Sequence, residues 1–215
     1  MKLRILKFVL FLAALIPLAR LAWRGFHDGL GANPIEVITH STGDWTLIFI
    51  LITLSITPLR RITRQYWLIS ARRMLGLFAF FYGTLHFLTY IWLDKFFDVH
   101  EMLKDIAKRR FITVGFSAFV LMIPLALTST AWSIRRLGGK NWQRLHRLIY
   151  LTGILGVVHY LWLVKADLRK PIEYAVVLGI LLVYRVGVWL SEKKASGKRQ
   201  QAATPVPARG TAPLK

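Results

Sequence analysis

Six apolar stretches dominate this chain, and each is close to the twenty or so residues that a helix needs to cross a bilayer. They run approximately Leu3–Trp23, Asp44–Leu59, Met74–Trp92, Ile112–Thr130, Leu145–Val164 and Pro171–Leu190. The second is short unless His40–Gly43 extends it. Lipid offers no hydrogen bonds to a backbone, so a spanning segment must satisfy its own amides, which a helix does. All eight tryptophans fall at or near a span end or in a short loop, as expected of an interfacial aromatic belt. The expected fold is an all-α integral membrane protein, a bundle of six transmembrane helices.

Charge divides between two sides. One receives Lys2, Arg4 and Lys7, the second loop from Arg60 to Arg73, the fourth from Arg135 to Arg147, and the tail beyond Lys193, with Glu192 as its one acid. The other carries the remaining acids, including Asp44, Asp94, Asp98, Glu101 and Asp105, against a similar number of bases. The positive-inside rule makes the basic side cytoplasmic and, with six spans, puts both termini there. Topology therefore accounts for the net charge of +20, and a nucleic-acid partner is not expected. Without cysteine, disulfides, thiolate-bound clusters and dithiol redox chemistry are excluded.

Basic residues before the first apolar run resemble a signal peptide, but no convincing cleavage site follows, so an uncleaved first helix is expected. In the third loop, Val99, Met102, Leu103, Ile106 and Ala107 are spaced as one face of a short amphipathic helix on the outer membrane surface. Residues 1–192 make one transmembrane domain, and 193–215 read as a disordered basic tail rich in Ala, Pro, Gly and Thr. No internal repeat is evident.

His86, His146 and His159 lie inside apolar stretches. An ionisable group at membrane depth is costly and marks a functional site by default. The third and fifth spans both run outward. His86 lies thirteen residues beyond Arg73 and His159 twelve beyond Arg147, which puts them about 20 Å and 18 Å up. Two imidazoles at one level on different helices are suited to the two axial faces of one haem iron, and hence to single-electron transfer. The bland alternative is a buried histidine bonded to a neighbouring helix.

His146 sits at the cytoplasmic end of the fifth span, and the third span offers Arg72 or Arg73 at its level, not histidine. It is open to ligating an inner haem with an unusual partner, bonding a propionate or quinone, or capping the helix. Arg72 and Arg73, with Arg135, Arg136 and Arg144, line the cytoplasmic rim, where they could hold propionates, a flavin phosphate or a quinone headgroup; topology alone also explains them. Arg20 and Arg185 lie near span ends and can snorkel. His40 is an interfacial polar residue at the start of the second span. No Gly-rich dinucleotide fingerprint or extramembrane nucleotide-binding domain is present, so electrons must come from a lipid-soluble carrier or another protein.

Several stretches together resemble one family: Gly31-Ala32-Asn33-Pro34, His40-Ser41-Thr42-Gly43, Arg72-Arg73-Met74-Leu75-Gly76-Leu77, the span around His86, Leu127-Thr128-Ser129, Trp142-Gln143-Arg144-Leu145-His146 and His159-Tyr160-Leu161-Trp162. The chain resembles the MsrQ (YedZ) family, haem-binding inner-membrane subunits of the bacterial periplasmic methionine-sulfoxide reductase system, within the ferric-reductase-like transmembrane group. The resemblance covers about Leu3–Leu190. It implies haem b, electrons from the quinone pool, and a heterodimer with a periplasmic molybdopterin reductase (MsrP). It also implies essential histidines at His86, His146 and His159. FMN is associated with the family, although no flavin site is legible in this sequence. The larger relatives' inner histidine of the third span is absent.

The expected function is a six-helix cytochrome b that passes electrons from quinol through haem at His86 and His159 to a periplasmic reductase. One alternative is a ferric-chelate reductase acting at the outer face; another is a non-redox transporter or scaffold, for which paired, broken half-helices are missing.

Overall fold

The structure, a computed structural model, describes the backbone of residues 2–203 and the side chains of residues 3–196. Its elements are α1 (Lys2–Phe26), α2 (Pro34–Thr63), α3 (Leu68–Leu88), α4 (Val99–Lys108), α5 (Arg110–Leu127), α6 (Ala131–Leu137), α7 (Gly139–Leu145), α8 (Leu148–Leu163) and α9 (Arg169–Ala203). A π-helical turn, Thr89–Asp94, prolongs α3. No strand occurs among the described residues.

Five of the described helices are long and apolar enough to cross a membrane: α1, α2, α3 with its π-turn, α5 and α9. Their outward faces are apolar, with Phe8, Ile180 and Val183 all more than 60% exposed. Such faces need a hydrocarbon solvent, and this is a multi-pass membrane protein. The fifth expected stretch is divided. His146, with φ −70° and ψ −4°, ends α7, and α8 restarts at Leu148 with sixteen residues, about 24 Å of helix.

Two antiparallel pairs, α2 with α3 and α5 with α8, make the centre of the bundle, and α1 and α9 pack around them. Asn33 opens α2, its side chain accepting from the Glu36 amide at 3.3 Å, with Pro34 at the first helical position, where its missing N–H costs nothing. The α2–α3 core is built on Leu47, Ile50, Leu54, Phe78 and Tyr82, all under 10% exposed.

Two interior polar contacts lie close to helix prolines, and the second follows from its proline directly. Beside Pro17 in α1, the Tyr82 hydroxyl accepts from the Leu18 amide at 3.2 Å and donates to the Ala14 carbonyl at 2.8 Å, bridging two groups that a regular helix joins directly. In α2, Pro58 has no N–H for the Leu54 carbonyl four residues back. Arg185 of α9 supplies the donor, Nη2 to Leu54 O at 2.7 Å. Its Nη1 donates to the Tyr150 hydroxyl at 2.8 Å. Arg185 therefore turns into the bundle, where the sequence had it snorkelling outward; an orphan carbonyl in lipid is costlier than the reach.

At the carboxyl end the last helix runs on past residue 192. Residues 193–203 continue α9, because Lys, Ala, Arg and Gln propagate an established helix readily. The rest of the expected tail, 204–215, lies outside the described residues.

The amphipathic segment of the third loop is α4, capped by Asp98, whose side chain accepts from the Glu101 amide at 3.0 Å. Its inner side carries a charge that the apolar spacing did not reveal. Asp105 is buried and takes Lys95 at 2.7 Å and Arg109 at 3.1 Å. Those contacts close a turn in which Phe96 and Phe97 both have positive φ, 46° and 63°, a region that bulky residues seldom enter.

Candidate functional site

His86 on α3 and His159 on α8 face each other with ring centroids 6.1 Å apart and planes at 77°. Both line one cavity of about 540 Å³ enclosed by the two central helix pairs. Two imidazole nitrogens on opposite sides of one metal ion, each bond about 2 Å, place their ring centroids roughly 6 Å apart. The spacing leaves room for one metal ion between the two rings.

The protonation of each ring follows from its partner. His86 Nδ1 lies 3.0 Å from the Thr39 carbonyl and His159 Nδ1 lies 2.6 Å from the Phe111 carbonyl. A carbonyl oxygen only accepts, so both Nδ1 atoms carry the proton. In the neutral ring that leaves the Nε2 lone pair free on each side, the arrangement by which metal-binding histidines are oriented from behind.

Glycine makes those contacts possible. A Cβ on Gly43 would lie 3.1 Å from His86 Cε1, and a Cβ on Gly115 only 2.5 Å from His159 Nδ1. Each glycine stands four residues beyond the accepting carbonyl, one helical turn along the same face. The imidazole slides over the bare glycine to reach the backbone of the neighbouring helix.

The device is used twice in one register. Ile35 and Glu36 line the cavity from the start of α2; further along, Thr39, His40, Gly43, Asp44, Thr46, Leu47 and Ile50 each have a counterpart on α5 seventy-two positions later that lines it too, Phe111 through Met122. From α3 come Gly83, His86 and Phe87, and from its π-turn Tyr90; from α8 come their counterparts seventy-three positions later, Gly156, His159, Tyr160 and Leu163. The α2–α3 and α5–α8 pairs are an internal structural repeat about the histidine pair, where the sequence offered none. Only glycine and histidine recur in identity. The halves differ in polarity: His40 and Asp44 correspond to Ile112 and Phe116. Asp44 receives Lys170 at 3.1 Å.

His146 is not part of this cavity. It sits at the other end of α8, stacked on Trp142 at 3.9 Å, with Nε2 3.1 Å from Thr128 Oγ1. The Thr128 hydroxyl spends its proton on the Pro124 carbonyl at 2.6 Å, so it accepts from His146 Nε2–H, and the free lone pair of His146 is on Nδ1. Its tautomer is opposite to that of the facing pair. Arg72, partly buried, and Arg73, exposed, stand at the same end of α3, far from His86. Arg72 is within electrostatic reach of both His146 and Arg185. No cluster of three or more His, Cys, Asp or Glu side chains suited to a metal occurs among the described residues.

The family model described as ferric reductase like transmembrane component matches residues 40–157. The protein-methionine-sulfoxide reductase heme-binding subunit MsrQ of Herminiimonas arsenicoxydans is 57% identical over 196 residues, covering 90% of this chain and 89% of the relative. The protein of the same name from Bordetella pertussis is 52% identical, covering 89% of this chain and 93% of its own. That from Xanthomonas euvesicatoria is 48% identical, with 91% of each covered. No solved structure matches the chain.

Proposed function

This chain belongs to the MsrQ family of ferric-reductase-like transmembrane proteins, and on that premise we propose that it is a membrane cytochrome b. In this reading it carries electrons from quinol, across six spans, to a periplasmic molybdopterin-dependent reductase that repairs oxidised methionine. Helix α8, extended by the residues around His146, completes the six as the fifth span in chain order, and the membrane is the bacterial inner membrane with both termini cytoplasmic.

The observation that carries the reading is the facing His86–His159 pair, each ring held from behind by a backbone carbonyl and each with Nε2 free. The residues fit haem b. The cavity has apolar walls from Leu47, Ile50, Phe87, Phe119 and Met122, and Gly43 and Gly115 remove the atoms that would push the rings away. When bound, haem supplies reversible one-electron chemistry.

The protein's own residues do the rest. The two carbonyls fix the tautomer and direction of both ligands. The packed apolar wall excludes water and lowers the local dielectric. His40, Asp44, Asp94 and Arg109 form a polar rim to the cavity, on the side assigned to the periplasm, where a partner reductase would approach. Positive charge from Arg72, Arg73 and Arg185 gathers at the opposite end, where a quinol headgroup or other anionic group would be held. His146, with Nδ1 unprotonated, belongs to that inner end.

Visible spectra of purified protein, oxidised and reduced, test the proposal. The expected result is a low-spin b-type spectrum that is lost in His86→Ala and in His159→Ala, with the signal of this pair retained in His146→Ala. A normal spectrum in both of the first two variants refutes the assignment. Membranes that reduce ferric chelate equally well without any partner protein would favour the ferric-chelate reductase reading instead.

A further inference from the structure

The two halves of the histidine site match in position but not in hydrogen bonding. Among the described residues the Phe111 carbonyl has one side-chain donor, His159 Nδ1 at 2.6 Å. The Thr39 carbonyl has two: His86 Nδ1 at 3.0 Å and the hydroxyl of Thr42 at 3.0 Å. The same hydroxyl also reaches the Ile38 carbonyl at 2.8 Å, so its proton is shared between two acceptors. Thr42 is buried, only 2% exposed, and water does not compete for it. Its counterpart in the repeat, seventy-two positions later, is Val114, which has no hydroxyl.

A carbonyl that already accepts from a hydroxyl has less electron density for a second donor. The His86 N–H is therefore polarised less than the His159 N–H, in keeping with the longer contact. An imidazole whose N–H is strongly held is the more basic ligand and favours the higher oxidation state of its metal. Resting on the haem reading above, we propose that Thr42 is a positioning residue that sets the electron affinity of the site. By drawing on the Thr39 carbonyl it keeps His86 the weaker donor of the pair, and it raises the reduction potential of the bound iron above that of a site built from two halves like α5–α8.

The repeat supplies its own control. Thr42→Val deletes the hydroxyl, Thr42→Ser keeps it, and Val114→Thr adds one to the opposite half, where a helical threonine hydroxyl reaches the carbonyl three or four residues back. The experiment is an optical redox titration of the purified holoprotein and the three variants. Thr42→Val is expected to shift the one-electron equilibrium towards the oxidised form by two- to tenfold, tenfold being about 59 mV. Thr42→Ser should stay near the parent value, and Val114→Thr should shift the opposite way. An unchanged or raised potential in Thr42→Val, with the low-spin spectrum intact, overturns the proposal. Should Thr42→Val not fold, an unchanged or lowered potential in Val114→Thr overturns it equally. Absence of a b-type spectrum in the parent protein is a different result, and takes down the haem reading itself.

Discussion

The ring of His159 occupies the space in which a side chain on Gly115 would begin, with Nδ1 2.5 Å from the position of that missing Cβ. Gly43 stands in the same relation to His86, less tightly, at 3.1–3.2 Å. The two contacts set an order of sensitivity. Gly115→Ala must move backbone or imidazole and should destabilise by about 1–3 kcal/mol, with loss of the low-spin haem spectrum. Gly43→Ala needs only a few tenths of an ångström and should keep the spectrum with a reduced melting temperature. Equal spectra in both variants would contradict the close approach.

Arg185 and Pro58 should be energetically coupled. Removing the guanidinium leaves the Leu54 carbonyl without its donor, a cost of about 1.5–3 kcal/mol for a buried bond to a charged group. Pro58→Ala restores a backbone N–H to the same carbonyl. Arg185→Met should therefore cost clearly less in the Pro58→Ala background than alone. A double-mutant cycle by thermal unfolding in detergent measures the difference, and strict additivity would rule out the pairing.

The α4 clasp should respond to pH only at the extremes. The hydrogen bond that Lys95 donates to Asp105 holds the Asp105 carboxyl below its usual range, and the same bond holds the Lys95 ammonium above its own. A depressed carboxylate stabilises the fold above its unfolded value and loses that contribution as pH falls through the folded one. A raised ammonium does so below its unfolded value and fails as pH rises through the folded one. Amide exchange in α4 should be level from about pH 5 to 9, apart from the intrinsic chemical rate, and accelerate below about pH 4. Asp105→Asn should accelerate it throughout. A step near neutrality would assign the clasp to other groups.

The Tyr82 hydroxyl ties α1 to α3 through the Ala14 and Leu18 backbone. Tyr82→Phe should cost about 0.5–1.5 kcal/mol, since the two helix groups can then bond each other. The loss should appear as faster exchange in α1 around Pro17 while the haem spectrum stays unchanged. A disturbed spectrum would mean that α1 bears on the histidine site.

That His86 and His159 share one level was legible because helix rise is constant and both spans start from arginine anchors, and the two rings do face each other. The sequence did not carry what holds the rings. Their partners are the backbone carbonyls of Thr39 and Phe111, and any residue type supplies a carbonyl. The repeat was illegible for a related reason: matched positions share a place on a helix but pair Thr with Phe, His with Ile and Asp with Phe. Arg185 was misjudged because closeness to a span end suggested snorkelling, whereas the informative signal was Pro58, four residues beyond a carbonyl that needed a donor. Asp105 hid among residues spaced for an amphipathic face, since its partners Lys95 and Arg109 meet it only once the turn at Phe96 and Phe97 has formed.

Because the α2–α3 pair brings one imidazole and the α5–α8 pair the other, neither pair alone makes the clamp of facing rings. A free-standing two-helix unit would have to find its twin by diffusion in the bilayer, at a rate and occupancy governed by abundance. Joining both units in one polypeptide makes that encounter intramolecular, so clamp assembly becomes independent of how many copies the membrane holds. It also frees the two sides to diverge, one towards polar rim residues and the other towards aromatic filling.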